Sequence, residues 1–402
     1  MDTFLSADDA AAFIGRWGFT TGPSRRVGVE LEWLVDPRGD LETGWDLPNG
    51  GTVSREAGGQ AEMSSAPADD LAACIASAET DQAALEAALA TRGQTVRGGG
   101  FDGVRNPVRH LDEPRYRAME AYYDRKGPWG RMVMCGTASV QINLDAGDDD
   151  AELRRRWDLA HRLGPVLIAA FANSPELDGR PSGWKSTRQA LWHQLPGWGD
   201  PVSEEGDLRR DFAKWVLDAE MVCAQCEPPR EWDVPPGMTL RDWISSGHDG
   251  RRPTRDDVEY HMSTLFPPVR PRGWLELRMI DQQDGDGWIV PAIVATTLID
   301  DPRAATAAYE ATAALCDGRP QPPTSVWEQA ARSGLADRGL HDAALACFAA
   351  SAEALERMAA PQRLRSRLAE FRSRFTDPGR CPADDRLEAL RGTTPQPQEA
   401  TL

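Results

Sequence analysis

Apolar residues recur at three- to four-residue spacing over much of this chain and at every second position in a few short segments, and the two periods predict different elements. Between Asp69 and Leu89, the side chains Leu71, Ile75, Ala78, Leu85 and Leu89 share one stripe, which predicts a helix buried along one side. Leu153, Trp157, Ala160, Leu167 and Phe171 predict a second such helix, with a kink or break at Pro165. Further helices are predicted over 207–226, 289–299, 303–316, 325–333, 340–358 and 361–376, making the region 289–380 mostly helical. Residues 392–402, GTTPQPQEATL, lack apolar periodicity and are predicted to be a disordered tail. No fixed-period repeat is visible, which sets solenoids and propellers aside.

Period two appears in VGVELEWL (27–34), TASVQINL (137–144) and WLELRMI (274–280), and in the shorter QAEMS (60–64). In the first, Val29, Leu31 and Trp33 share one strand face while Glu30 and Glu32 share the other. In the second, Ala138, Val140, Ile142 and Leu144 oppose Ser139, Gln141 and Asn143; in the third, Leu275, Leu277 and Met279 oppose Glu276 and Arg278. A strand of this kind ordinarily turns its polar face to water, as in many antiparallel sheets. Composition argues for more here. The four faces offer Glu30, Glu32, Glu62, Gln141, Asn143, Glu276 and one cation, Arg278, with no lysine. If the strands are neighbours, four carboxylates crowd one surface and must either hold protons or recruit a cation. A hard divalent ion with oxygen ligands fits this inventory. Mg²⁺ takes oxygens at about 2.0–2.1 Å and shares carboxylates, water and nucleotide phosphates.

Charge and motif counts narrow the chemistry further. The 402-residue chain carries 45 Lys+Arg against 63 Asp+Glu, a formal charge of -18, which repels nucleic acid and anionic membrane alike. Its only lysines are Lys126, Lys185 and Lys214, so arginine does nearly all the cationic work. Arg188, in a turn-rich segment from Gly179, and Arg278 are placed to clamp phosphate or carboxylate, with a structural ion pair as the plainer role for each. No run is apolar and long enough to span a bilayer, and the start lacks a secretory pattern, which points to the cytoplasm. Seven scattered cysteines argue against a disulfide framework. Cys223 and Cys226 form a lone CxxC inside the helical pattern at 207–226, with nothing nearby to complete a zinc site. The glycine-rich RGGGFDG at 97–103 lacks the P-loop Lys-Ser/Thr. Neither HExxH nor GxSxG occurs, so metalloprotease and serine-hydrolase readings lack their core signal.

Six segments in order, VGVELEW, EAGGQAEMSSAP, MCGTASVQINLD, FANSPELDGRPSGWKSTRQALW, PGMTLRDW and LFPPVRPRGWLELRMID, run from residue 27 to residue 281. Together they resemble the plant-type glutamate–cysteine ligases of the glutamine-synthetase-like superfamily. The helical remainder through GRCPADD resembles the bacterial branch that makes γ-glutamylcysteine for ergothioneine. The resemblance implies an α+β fold: a curved antiparallel sheet with ATP and Mg²⁺ on its concave face, backed by helices, in one catalytic domain over 1–391. It implies Glu30, Glu32, Glu62 and Glu276 as metal ligands, with Glu56 completing the set although its spacing from Glu62 does not follow one strand face. Gln141 then stands where relatives use a metal-binding side chain, and Asn143 fixes a loop or the glutamate. Gln141, Asn143 and Arg278 face the nucleotide; Arg278 neutralises transferring phosphate and Arg188 anchors a substrate carboxylate or phosphate. Lys185 is not counted as catalytic. The implied substrates are L-glutamate, L-cysteine and ATP, joined through a γ-glutamyl phosphate with no protein nucleophile. Two alternatives stand beside this reading: a ligase of the same fold with another acceptor amine, and a non-catalytic binding homologue.

Overall fold

A computed structural model describes residues 6–22, 25–39, 45–195 and 206–393. Its strands are β1 (Val27–Asp36), β2 (Thr52–Arg55), β3 (Ala61–Ser64), β4 (Thr95–Arg97), β5 (Ser139–Asp145), β6 (Glu176–Leu177), β7 (Arg180–Pro181), β8 (Val269–Pro271) and β9 (Trp274–Asp281). Seven of them form one sheet in the order β2-β3-β1-β5-β9-β8, with β4 paired to the end of β1; β6 and β7 make a separate small hairpin. Every pairing is antiparallel. All four alternating segments therefore fall in one sheet, as the consecutive strands β3, β1, β5 and β9.

The pleat sends Val29, Leu31, Trp33, Val140, Ile142, Leu144, Leu275 and Leu277 into one continuous hydrophobic core. Helices Leu71–Ala90, Asp150–Phe171 and Ile289–Asp300 cover that side of the sheet. The first two carry side-chain caps: Asp70 accepts from the Ala73 amide, and Asp149 from those of Ala151 and Glu152. The C-terminal helices stack outside this layer as the apolar periodicity predicts. The opposite face of the sheet is roofed by helices Pro114–Asp124, Trp129–Gly136 and Thr187–Trp192. They carry a second, smaller cluster that includes Met119, Tyr123, Val133, Met134 and Trp192.

Three expectations are corrected. The helix expected to kink or break at Pro165 runs unbroken from Asp150 to Phe171. Residues Leu163 to Phe171 are all buried, and Gly164 lets Trp327 lie so close that a Cβ there would come within 2.0 Å of its ring. Packing on both sides holds the segment helical despite the missing N–H. The helix predicted over 207–226 ends at Asp218. Beyond it the backbone pairs elsewhere, Met221 N–H with the Met238 carbonyl at 2.8 Å and Ala224 N–H with that of Trp232 at 2.9 Å, so Cys223 and Cys226 sit on a loop as free thiols. Finally, the last helix reaches Thr393, two residues into the predicted tail; residues 394–402 of that tail lie outside the described residues.

Leu31 is fully buried at the centre of the sheet. Leu31→Ala is expected to lower unfolding free energy by about 2–5 kcal/mol in urea titration, and a loss below about 1 kcal/mol would contradict this packing.

Candidate active site

The sheet register places the acids against one another. On β1, Glu30 lies opposite Gln141 of β5, and Glu32 lies opposite Glu62 of β3. Glu32 accepts from Ser139 Oγ at 2.9 Å and Gln141 Nε2 at 2.8 Å; Glu30 accepts from Asn143 Nδ2 at 3.0 Å. Glu62 accepts from Ser54 Oγ at 2.6 Å. Glu56 belongs to the other arm of the β2–β3 hairpin, where its N–H bonds the Gln60 carbonyl at 2.9 Å. It thus continues the Ser54 side of β2, and the turn returns it to the same face as Glu62. That explains why its spacing from Glu62 fits no single strand.

The arginines come from the far side of the sheet. Arg270 of β8 lies opposite Glu276 of β9 and grips its carboxylate with two bonds, 3.0 and 2.8 Å. Arg278 also bonds Glu276, Arg272 stands 3.7 Å away, and Arg278 donates as well to Gln141 Oε1. Between β5 and β9 the register slips after Val140, so β9 spends one extra residue opposite Gln141. This bulge returns Asp281 to the polar side, where regular alternation would have placed it in the core.

Glu30, Glu32, Glu56, Glu62, Gln141 and Arg278 line one cavity of about 290 Å³ together with Arg115, Arg270, Arg272 and the aromatic wall of Tyr116, Tyr123, Trp192 and Phe266. A second cavity of about 490 Å³ begins on the other side of Glu30 and is lined by Gly28, Ser65, Asn143, Gly147, Gly273 and Trp274, among others. Glu30 is the one carboxylate common to both. Burial first, then the charges of Glu276 and Glu62, raise the Glu30 carboxyl from 4.5 to about 7. Burial and Glu62 raise Glu32 likewise, and burial with Glu62 and Glu32 holds Glu56 well above its ordinary value. Glu276 differs. Burial pushes it up, but Arg270 and Arg278 together outweigh that and hold it down at about 2.

Among the described residues no three Asp, Glu, His or Cys side chains are already arranged to hold a metal ion. The donor chemistry nevertheless suits a hard cation: carboxylate oxygens crowd one wall, and burial with neighbouring carboxylates raises the proton affinity of Glu30, Glu32 and Glu56 despite the arginines near them.

Of the residues singled out in the sequence, the cavity thus gathers Glu30, Glu32, Glu56, Glu62, Gln141 and Arg278. Glu276 lies beneath it, wholly buried in its arginine cluster. Asn143 joins the second cavity, donating to Glu30 and accepting from Trp274 Nε1 at 3.0 Å. Arg188, in the roofing helix, is buried outside the cavity lining and donates to the Arg278 carbonyl at 2.8 Å. Lys185 pairs with Asp384, away from the cavity. Sequence reasoning missed Arg115, Arg270 and Arg272. Arg270 carried a usable signal, since a short strand VRP running back along WLELR sets it against Glu276. Arg115 carried none: its place follows from Ser263, whose Oγ and carbonyl each accept from it at 3.1 Å.

The profile of the family described as Glutamate-cysteine ligase family 2 (GCS2) matches residues 26–401. The chain belongs to this family. It is 40% identical over 401 residues to glutamate–cysteine ligase EgtA of Mycobacterium tuberculosis, covering 94% of this chain and 88% of that one. With EgtA of Mycolicibacterium smegmatis the identity is 38% over 404 residues, covering 95% and 91%. The chloroplastic glutamate–cysteine ligase of Medicago truncatula is 30% identical over 246 residues, 59% of this chain and 47% of that one. Among solved structures, the fold resembles a Francisella tularensis glutamate–cysteine ligase in complex with AMP (TM-score 0.52, 13% identity, 93% of this chain and 86% of that one). It also resembles a Pasteurella multocida bifunctional glutathione synthetase (TM-score 0.53, 12% identity), where 95% of this chain spans 51% of the other.

The charge of this ligase-family site has a pH consequence. Because folded Glu30 holds its proton up to about 7 and the unfolded group only to 4.5, the native state binds more protons in that window and loses stability as pH rises through it. Glu30→Gln removes this loss. In the presence of EDTA, the melting temperature of Glu30→Gln relative to the parent is expected to climb from pH 5 to pH 8; a gap independent of pH would mean that Glu30 titrates as an ordinary carboxylate.

Proposed function

We propose that the chain is an ATP-dependent glutamate–cysteine ligase that forms γ-glutamylcysteine from L-glutamate and L-cysteine through a γ-glutamyl phosphate, in ergothioneine biosynthesis. The observation that carries this is the 40% identity to EgtA across nearly the whole chain, on a sheet whose polar face holds acids on one side and arginines on the other. One continuous core from Ala10 to Leu368 supports reading residues 1–391 as a single catalytic unit. Seven free cysteines suit a reducing cytoplasm.

The two cavities divide the substrates. The adenosine half of ATP is assigned to the larger one, where Gly28, Gly147 and Gly273 leave room and Trp274 offers a ring face. Its phosphates then pass Glu30 into the smaller cavity, which also receives glutamate and the acceptor amine. Glu30, Glu32, Glu56 and Glu62 are assigned as Mg²⁺ ligands from the cavity wall, with Gln141 beside them and Glu276 joining from beneath. Bound Mg²⁺ would offset the negative charge of the phosphates. Arg278 holds the transferring phosphoryl group, and Arg270 and Arg272 extend the positive wall behind it. Arg115 is placed to meet a substrate carboxylate. The γ-carboxylate oxygen of glutamate attacks the γ-phosphorus and ADP departs; the cysteine nitrogen then attacks the acyl carbon and phosphate departs. No side chain forms a covalent bond, so catalysis rests on positioning and electrostatics.

The test is to supply ATP, Mg²⁺ and glutamate with cysteine or a panel of other amines, following ADP release and product mass. Cysteine is expected to be the preferred acceptor; preference for another amine would overturn the substrate assignment, and no turnover with any amine would overturn the enzyme. Glu30→Gln and Glu62→Gln are expected to lower turnover by about a thousandfold or more while folding normally, on the scale of losing a charge-stabilising group. Trp274→Ala is expected to raise the KM for ATP with less effect on the KM for glutamate; the reverse pattern would exchange the two cavities.

A further inference from the structure

The bulge in β9 leaves two carbonyls, those of Arg278 and Met279, to which side chains of the helix Thr187–Trp192 donate. Arg188 Nη2 donates to the Arg278 carbonyl at 2.8 Å and Gln189 Nε2 to the Met279 carbonyl at 2.6 Å. Three residues past Arg278, the buried Asp281 carboxylate accepts from Ser174 Oγ at 2.7 Å, Ser186 Oγ at 2.8 Å and the Asn173 N–H at 2.9 Å, with Arg188 Nη1 at 3.8 Å. Ser186 is also the N-cap of the same helix, accepting from the Gln189 N–H at 3.1 Å. Asp281 thus fixes the cap, the cap fixes the helix, and the helix fixes the bulge. The last helix braces this assembly from outside through Arg386 to Asn173 at 2.6 Å and through the Lys185–Asp384 pair.

We propose that Gln189 and Asp281 are positioning residues for phosphoryl transfer, locking the β9 bulge so that Arg278 is aimed across the sheet face into the catalytic cavity. This rests on the reading of Arg278 as the arginine that holds the transferring phosphoryl group. Neither residue lines the cavity, and both are buried. A regular β9 would satisfy its own ladder without them. Arg278 is the first residue of the bulge, where it reaches both Gln141 and Glu276, and the side-chain donors on the Arg278 and Met279 carbonyls hold that shape. A misdirected guanidinium would still find negative charge in the ground state, while missing the geometry of the transferring group.

Gln189→Leu keeps the side chain's bulk and removes only its hydrogen bond. In the full chain this variant is expected to lose about tenfold to a hundredfold in turnover while its KM for ATP and its affinity for ADP stay near the parent's. Its affinity for ADP with aluminium fluoride and Mg²⁺, which mimics the phosphoryl group in transit, should fall by the same factor as turnover. In an Arg278→Lys background the same substitution should cost nothing further, because the residue it acts through is already gone. Asp281→Asn provides an independent second variant with the same expected signature. Equal losses in both backgrounds, or ADP and ADP–fluoride affinities falling in parallel, would overturn the proposal. A parent enzyme that prefers an amine other than cysteine would count against the functional reading alone, since fluoride-complex binding decides the positioning role without the acceptor.

Discussion

Carboxylates of Glu30, Glu32, Glu56 and Glu62 share one side of a sheet whose other side is the hydrophobic core, and they cannot turn away from one another. A one-residue slip of β1 would relieve the crowding only by driving Val29, Leu31 and Trp33 out of the core. Each such burial stabilises the fold by about 1.5–3 kcal/mol, which outweighs moderate repulsion on the opposite face. The core therefore holds the acids in a concentration that no surface strand would keep, and burial together with their neighbours' charge raises the proton affinities of Glu30, Glu32 and Glu56.

The rest of the site follows from separating charge rather than cancelling it. Arginines on β8 and β9 neutralise Glu276, while around Glu30, Glu32 and Glu56 the arginines only partly offset burial and like charge, so the cavity has an acidic wall and a basic wall. Gln141 stands between them, giving its amide N–H to Glu32 and accepting from Arg278 on its oxygen. An ionised carboxylate there could accept from Arg278 but would have no proton for Glu32. Under the proposed function, such a cavity would take a phosphate chain and its counter-ions together. This resolves the tension between a chain of formal charge -18 and a polyanionic substrate: the repulsion is global and the attraction local.

Much of this was legible in the sequence because two-residue alternation reports which side chains share a face. Glu30 with Glu32, Gln141 with Asn143 and Glu276 with Arg278 could each be paired that way, and the acceptor-rich composition of the faces pointed to a cation. Neighbour relations were less visible. Glu56 required knowing that a hairpin turn lies between it and Glu62, and Asp281 required a bulge, which breaks the period used to read the strand. The helices roofing the cavity were missed because they are short and bury their apolar residues in the small second cluster, so no long stripe marks them. The error at Cys223 and Cys226 has the opposite origin: helical spacing continued past Asp218, but pairing with residues 232–238 captured the backbone.

The central claim, that the acidic wall exists to gather divalent ions for the nucleotide, is tested most directly by a crystal structure with a non-hydrolysable ATP analogue and Mn²⁺ in place of Mg²⁺, located by anomalous scattering. Mn²⁺ peaks bound by carboxylates among Glu30, Glu32, Glu56 and Glu62 and shared with the phosphates are expected. A bound nucleotide whose Mn²⁺ ions touch none of these residues would contradict it.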